Sequence, residues 1–314
     1  MPPASYPGKE KIPFGRIELA DYRFDTSKVG YNVHNRIDER IAVKGGLEKT
    51  LAGYLNNYFK NNLDTSSGKT LLIVLKRLWL QSGAIGQMLL SKEKDYPDLP
   101  YYLNKAPACL ADIDVFAVSG AVYKALVRIN HSFNMEEINT VDNLSALLLP
   151  FDSLLKKISL MDVDKVISQK KDFSLEDIRK NYENRFTIPV LTQGNLQRGV
   201  YLTFSDFKES KTSYPDFTYK IDRFSADVTI RQGQQSIIIT DYWGFFDGKN
   251  LFVKPGHVPF KVIRQGHTFD FYGSLRGDTH DNTFDTYNGV QMRYTVSVVP
   301  LYPLQVDMDT GKVY

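Results

Sequence analysis

The side chains best supplied for chemistry lie near the end of the chain. Asp278, His280, Asp281 and Asp285 fall within Gly277-Asp278-Thr279-His280-Asp281-Asn282-Thr283-Phe284-Asp285, a run with enough oxygen and nitrogen donors to hold a divalent cation. The spacing does not fit a calcium loop, because Thr283 and Thr286 stand where that loop needs an Asx and a glycine. No helical repeat brings two histidines to one face either. A solvated loop is the expectation and a weak cation site the alternative, and no cofactor is expected.

Other chemical candidates give weaker patterns. Ser66-Ser67-Gly68-Lys69-Thr70 has the ending of a phosphate-binding loop, but Leu63 occupies the position of its first glycine and a strand-like run follows. It reads as a turn before a strand. The single cysteine, Cys109, excludes an internal disulfide and a thiolate metal site built from one chain, and its apolar surroundings read as a buried thiol. His34, His131, His257 and His267 are scattered and read as structural or surface residues. General acid or base work would need one of them beside a carboxylate in a pocket.

Aromatic density is the stronger signal. Of the 40 aromatic residues, 22 follow residue 184, and Tyr242, Trp243, Phe245 and Phe246 adjoin one another. Alternation along a strand would send these rings to both faces of a sheet. Packing in a core is the first reading, and a sugar- or peptide-binding surface is the second.

The elements that must position these residues change character near residue 185. Arg16 to Phe24 reads as a strand. Leu47, Leu51, Tyr54, Leu55, Tyr58 and Phe59 recur at helical spacing. Thr70 to Leu80 reads as a central strand, and Ala111 to Asn130 as a long extended stretch with a bulge or bend at Ser119-Gly120. Leu144 to Ile158 forms an apolar helical stripe that Pro150 should kink or interrupt. Ser174 and Asp177 suggest a capping box opening a short helix.

Beyond residue 184 there are 12 Asp and a single Glu, the composition of turns rather than helices. Runs such as Phe217 to Ile221, Ala226 to Arg231, Ser236 to Tyr242 and Thr268 to Tyr272 are separated by Gln232-Gly233, Asp247-Gly248, Pro255-Gly256 and Gln265-Gly266, which punctuate hairpins. Arg293 to Val299 and Leu304 to Met308 suggest a last pair. The fold class expected is α+β: an N-terminal antiparallel sheet with two covering helices, followed by a mostly antiparallel β meander or small barrel. The domains expected are a disordered leader over 1–13, an α+β domain over 14–165, a helical connector over 166–185 and an aromatic-rich β domain over 186–314.

A net charge of +3 is shared between the two halves, which argues against nucleic acid as a partner. Gly199-Val200-Tyr201-Leu202-Thr203-Phe204-Ser205-Asp206-Phe207, then Trp243-Gly244-Phe245-Phe246-Asp247-Gly248-Lys249 and Ile263 to Tyr272, resemble a group of uncharacterised secreted or lipid-anchored proteins of the Bacteroidota. These carry a G-V-Y-x-T-F-x-x-F segment followed by a W-G-x-x-D-G-K hairpin. The order of elements in residues 14 to 162 is also similar to small envelope lipoprotein domains that assist transport or assembly machines. The resemblance implies an envelope location, the periplasm or outer-membrane surface. The Pro-rich start, Met1 to Lys9, reads as the spacer after a removed signal sequence, with any lipid anchor outside this chain and the cytoplasm as the alternative compartment. It brings no activity and no catalytic residue. The function expected is a non-enzymatic accessory or interaction subunit with an envelope protein as partner. The alternative is a carbohydrate- or peptide-binding module that uses Tyr242, Trp243, Phe245 and Phe246.

Overall fold

A computed structural model describes residues 5–34, 37–81, 107–134, 143–194, 196–221, 226–254, 259–273, 282–287, 290–295 and 302–313. The chain is α+β and divides into two compact units, Met1–Glu183 and Asn184–Tyr314.

The first unit is built on one sheet. Its strands are β1 (Arg16–Asp21), β2 (Gly30–His34), β3 (Ile37–Ile41), β4 (Thr70–Gln81), β5 (Pro107–Ser119), β6 (Val122–Asn134) and β7 (Asp172–Phe173). The order is β3-β2-β4-β5-β6-β7, with β1 also beside β4. The sheet is mixed rather than antiparallel. Both β1 and β2 run parallel to β4, β1 opposite Thr70 to Leu75 and β2 opposite Leu80 and Gln81. A parallel pair needs a crossover, and α1 (Leu47–Tyr58) lies in the connection between β1 and β4.

Strand alternation gives the sheet two differently used faces. Ile17, Leu19, Leu71, Ile73, Leu75, Ile113 and Val115 share a core with Leu51 and Leu55 of α1 and with Leu147, Leu148, Phe151, Leu154, Leu155 and Ile158 of α2 (Asn143–Ser159). α2 runs through Pro150 without a break. Apolar contacts on both sides of the proline outweigh the one lost backbone bond. The other face carries Leu72, Val74, Phe116 and Val118, packed against Ile178 and Tyr182. These two belong to α4 (Leu175–Glu183), which follows α3 (Val163–Ser168). The segment expected as a connector therefore belongs to the first unit through Glu183. Gly120 also differs from the reading as a bulge. With φ at +59° it forms, with Ala121, the tight turn between β5 and β6, which pair from Ser119 and Val122 onward.

The second unit opens with a 3-10 turn over Asn184–Phe186 and α5 (Pro189–Thr192). β8 (Gly199–Tyr201), α6 (Phe204–Lys208), β9 (Phe217–Ile221), β10 (Ala226–Gln232), β11 (Gln235–Ile239), β12 (Gly244–Phe246), β13 (Leu251–Val253), β14 (Phe260–Gln265), β15 (Thr268–Gly273), β16 (Asn282–Tyr287), β17 (Val290–Thr295) and β18 (Tyr302–Gln305) follow. Every pairing among the described residues of this unit is antiparallel. The sheets are β11-β10-β9, β18-β15-β14-β13-β12-β8 and the hairpin β16-β17. Of the last pair suggested by the sequence, residues 296–299 lie outside the described residues; among the described ones β17 pairs with β16, and β18 with β15. Gly244 is required by a close approach, since a Cβ there would lie 2.4 Å from the Phe252 carbonyl oxygen.

Candidate functional site

The alternation that puts Ile113 and Val115 beneath the covering helices turns Asp112, Asp114 and Phe116 to the opposite face of β5. Lys76, at a bulge between Leu75 and Arg77, reaches the same face. Its ammonium lies 2.9 Å from Asp112 Oδ1 and 3.0 Å from Asp114 Oδ2. Arg128, directly opposite Asp114 on β6, donates through Nη2 to Asp112 Oδ2 at 3.1 Å and through Nε to Asp112 Oδ1 at 3.3 Å. From α4, the Tyr182 hydroxyl donates to Asp114 Oδ2 at 2.7 Å. Lys76 and Asp112 are buried, whereas the Arg128 side chain is 57% exposed. The network thus runs from the interior to the surface.

Beside it lies a cleft of about 540 Å³ between β5, β6 and α4. Phe116, Ala125, Phe173 and Ile178 supply an apolar lining, with Phe116 and Phe173 meeting edge to face at 6.4 Å. Arg128, Lys170 and Lys171 bring positive charge to it, and both lysines are exposed. The Lys171 ammonium stands 5.6 Å from the centre of the Phe173 ring.

The acids in the cleft are already engaged. Asp114 serves Lys76 and Tyr182. Asp177 caps α4: its Oδ2 accepts from the Ser174 backbone N–H at 2.8 Å and from the Ser174 hydroxyl at 2.7 Å, while its own N–H donates to Ser174 Oγ at 3.1 Å. The backbone bond from Ser174 holds its carboxyl below the usual range. Among the described residues lining the cleft there is no serine, threonine, cysteine or histidine. The arrangement can hold a ligand with apolar and anionic parts.

The residues singled out from sequence lie elsewhere. Tyr242 and Phe245 are buried in a core with Val200, Phe217, Val228 and Ile230. Phe245 stacks on Phe252 at 4.8 Å, and burial pushes the Tyr242 hydroxyl up to about 12. Trp243 is half-buried, stacked on Phe207 at 4.4 Å and near Phe204 at 5.4 Å. Phe246 is also half-buried. The four rings do not make one open aromatic platform.

Asp278, His280 and Asp281 lie outside the described residues, and Asp285 falls in β16 opposite Met292. Among the described residues no group of three or more His, Cys, Asp or Glu side chains could hold a metal ion. His257 is outside the described residues and His34 ends β2. His131 meets Phe133 edge-on at 5.1 Å, and the exposed His267 stacks on Phe186 at 4.9 Å. Burial pushes the Cys109 thiol up to about 12. At Ser66 to Thr70, Asp64 Oδ1 accepts from the Ser66 backbone and hydroxyl, closing the turn that leads into β4.

Lys76, Asp112, Asp114, Arg128 and Tyr182 are not evident as a group in the sequence. The available signal was charge inside otherwise apolar strands, Asp112 and Asp114 at alternate positions in one and the adjacent Lys76-Arg77 in another. No protein-family model, curated protein or solved structure gives a significant match to this chain. No described helix is long and apolar enough to cross a membrane.

Proposed function

We propose that the chain is a non-enzymatic interaction protein of the bacterial envelope, an accessory subunit that seats an apolar anchor of a partner polypeptide, flanked by acidic residues, in the cleft beside α4. One observation carries this reading: an apolar floor lies beneath Arg128, Lys170 and Lys171, while Asp114 and Asp177 are committed to internal bonds. Buried apolar anchors with a polar rim are the usual energetic centre of a protein interface. The envelope setting rests on the resemblance of the Gly199–Phe207 and Trp243–Lys249 segments. The sheet and covering helices of the first unit serve as the binding half, and the β meander of the second as a separate module. Sugar recognition by Tyr242 and Phe245 is disfavoured, because both rings are buried.

The test places a photo-reactive phenylalanine analogue at Asn181, a cleft residue, in the full chain within its native membrane fraction. One specific protein should be captured. Lys170→Glu with Lys171→Glu should weaken that capture, as should added salt, which screens exposed charge over about 10 Å at 0.1 M. Recovery of the same proteins from an analogue at the exposed Gln234, or from the charge-reversed variant in undiminished amount, would overturn the reading.

A further inference from the structure

The geometry points to β11 as a self-association edge, through which the chain pairs with a second copy of itself in an antiparallel, two-fold arrangement. This site lies in the second unit and is independent of the cleft.

β11 ends the sheet β11-β10-β9. It returns from β10 through a two-residue turn at Gly233-Gln234, with Gln232 opposite Gln235, Ile230 opposite Ile237 and Val228 opposite Ile239. The pair closing such a hairpin is hydrogen-bonded, and hydrogen-bonded pairs then alternate with non-bonded ones. Gln235, Ile237 and Ile239 therefore direct their main-chain groups to β10. Ser236 and Ile238 direct theirs outward, and no described strand pairs with that edge. Both are exposed, and Ile238 is 58% exposed.

Three of the usual protections of an open edge are missing from the strand itself. Gln235 to Ile239 contains no charge, no proline and no shift of register. Just beyond it, Lys254 Nζ donates to the Thr240 carbonyl and closes the edge there. What is left open is short, uncharged and able to pair with itself. With Ile237 opposite Ile237 of the second copy, each Ser236 faces an Ile238, and N–H and C=O groups of both residues are satisfied in both copies. Ile237 already packs against the core of Val228, Ile230 and Phe245, so its self-pair extends that core across the two-fold axis. A closed two-fold interface of this kind ends at a dimer.

Sedimentation equilibrium of the full chain over a concentration series is the test. The expected result is a reversible dimer. Ile238→Pro removes an outward N–H without removing a bond to β10, and Ile238→Lys places a charge on the edge with the backbone intact. Each should weaken dimerisation by at least about tenfold, or about 1.4 kcal/mol. Ile237→Cys should form a disulfide-linked dimer, since non-bonded antiparallel pairs have Cα atoms about 4.5 Å apart, within disulfide range. The buried Cys109 does not compete. A monomer at every concentration, open assemblies larger than a dimer, or a dimer insensitive to both Ile238 variants would overturn the proposal. Should both Ile238 variants unfold, the Ile237→Cys linkage decides: its formation supports this pairing and its absence overturns it.

Discussion

Asp152 should destabilise the first unit at neutral pH, and replacing it with asparagine should make the protein more stable. Its carboxyl sits on α2 against α1, where Oδ2 receives only a long bond, 3.4 Å, from the Tyr58 hydroxyl. Oδ1 is buried with no hydrogen-bond partner among the described residues. Burial raises its pKa from 3.8 to about 6. The same burial, with the nearby Asp152 charge, pushes the Tyr58 hydroxyl up. A folded pKa above the unfolded one means that the folded state holds the proton more tightly. Its contribution to stability is fully present below the unfolded pKa and is lost as pH rises through about 6. Fully expressed, the shift corresponds to about 3 kcal/mol. Asp152 is only partly buried, so screening reduces this to about 1–2 kcal/mol. Urea titrations of the wild type and Asp152→Asn from acid to neutral pH measure it. The variant should gain that amount above pH 7, and the two proteins should converge below about pH 3, where aspartate is protonated in both the folded and unfolded states and resembles asparagine. A variant less stable than the wild type at neutral pH, or a difference that does not change with pH, would refute the reasoning.

Phe245→Ala should cost about 3–5 kcal/mol and the half-buried Trp243→Ala about 3 kcal/mol by calorimetry; an unchanged melting temperature in either would remove that ring from the core. Asp112→Ala leaves the buried Lys76 with Asp114 alone and should cost about 3–5 kcal/mol, whereas a combined Lys76→Met and Asp112→Leu change should cost far less. Gly244→Ala forces a Cβ to within 2.4 Å of the Phe252 carbonyl oxygen and should cost about 1–3 kcal/mol; chemical denaturation reads it directly. Cys109, fully buried with its thiol pushed up to about 12, should react with a thiol reagent only at the rate of unfolding.

Features set by local period or turn chemistry were legible in the sequence. The apolar spacing of Leu47, Leu51 and Leu55 gave α1, and the Leu147 to Ile158 stripe gave α2. Gln232-Gly233, Asp247-Gly248 and Gln265-Gly266 all fall at turns, with φ of +64°, +97° and +59° at the three glycines. Features set by distant partners were not. Nothing within Arg16–Asp21 says that it pairs parallel to Thr70–Leu75. α4 buries only Ile178 and Tyr182, one pair at i,i+4 on an otherwise polar helix, too little to mark a packed face. The charge network escaped for the same reason, since Lys76, Asp112, Arg128 and Tyr182 meet only through the sheet order. Trp243 and its neighbours were conspicuous because aromatic residues are conspicuous, whether they serve a core or a surface.

The network beside the cleft is poorly explained by stability alone. A buried ion pair is commonly worth no more than well-packed apolar side chains of the same volume, and Leu72, Val74, Phe116 and Val118 already provide an apolar surface on this face. What the charges add is position. The Tyr182 hydroxyl must find Asp114, and Asp114 is in turn placed by Lys76 and Arg128. Sliding α4 along the sheet would keep much of its apolar contact but leave the half-buried Asp114 carboxylate one bond short, at a cost of about 1 kcal/mol. The helix is thus fixed at one end by the Ser174–Asp177 cap and along its length by a polar bond with a single solution. The cleft between it and β6 inherits that fixed width.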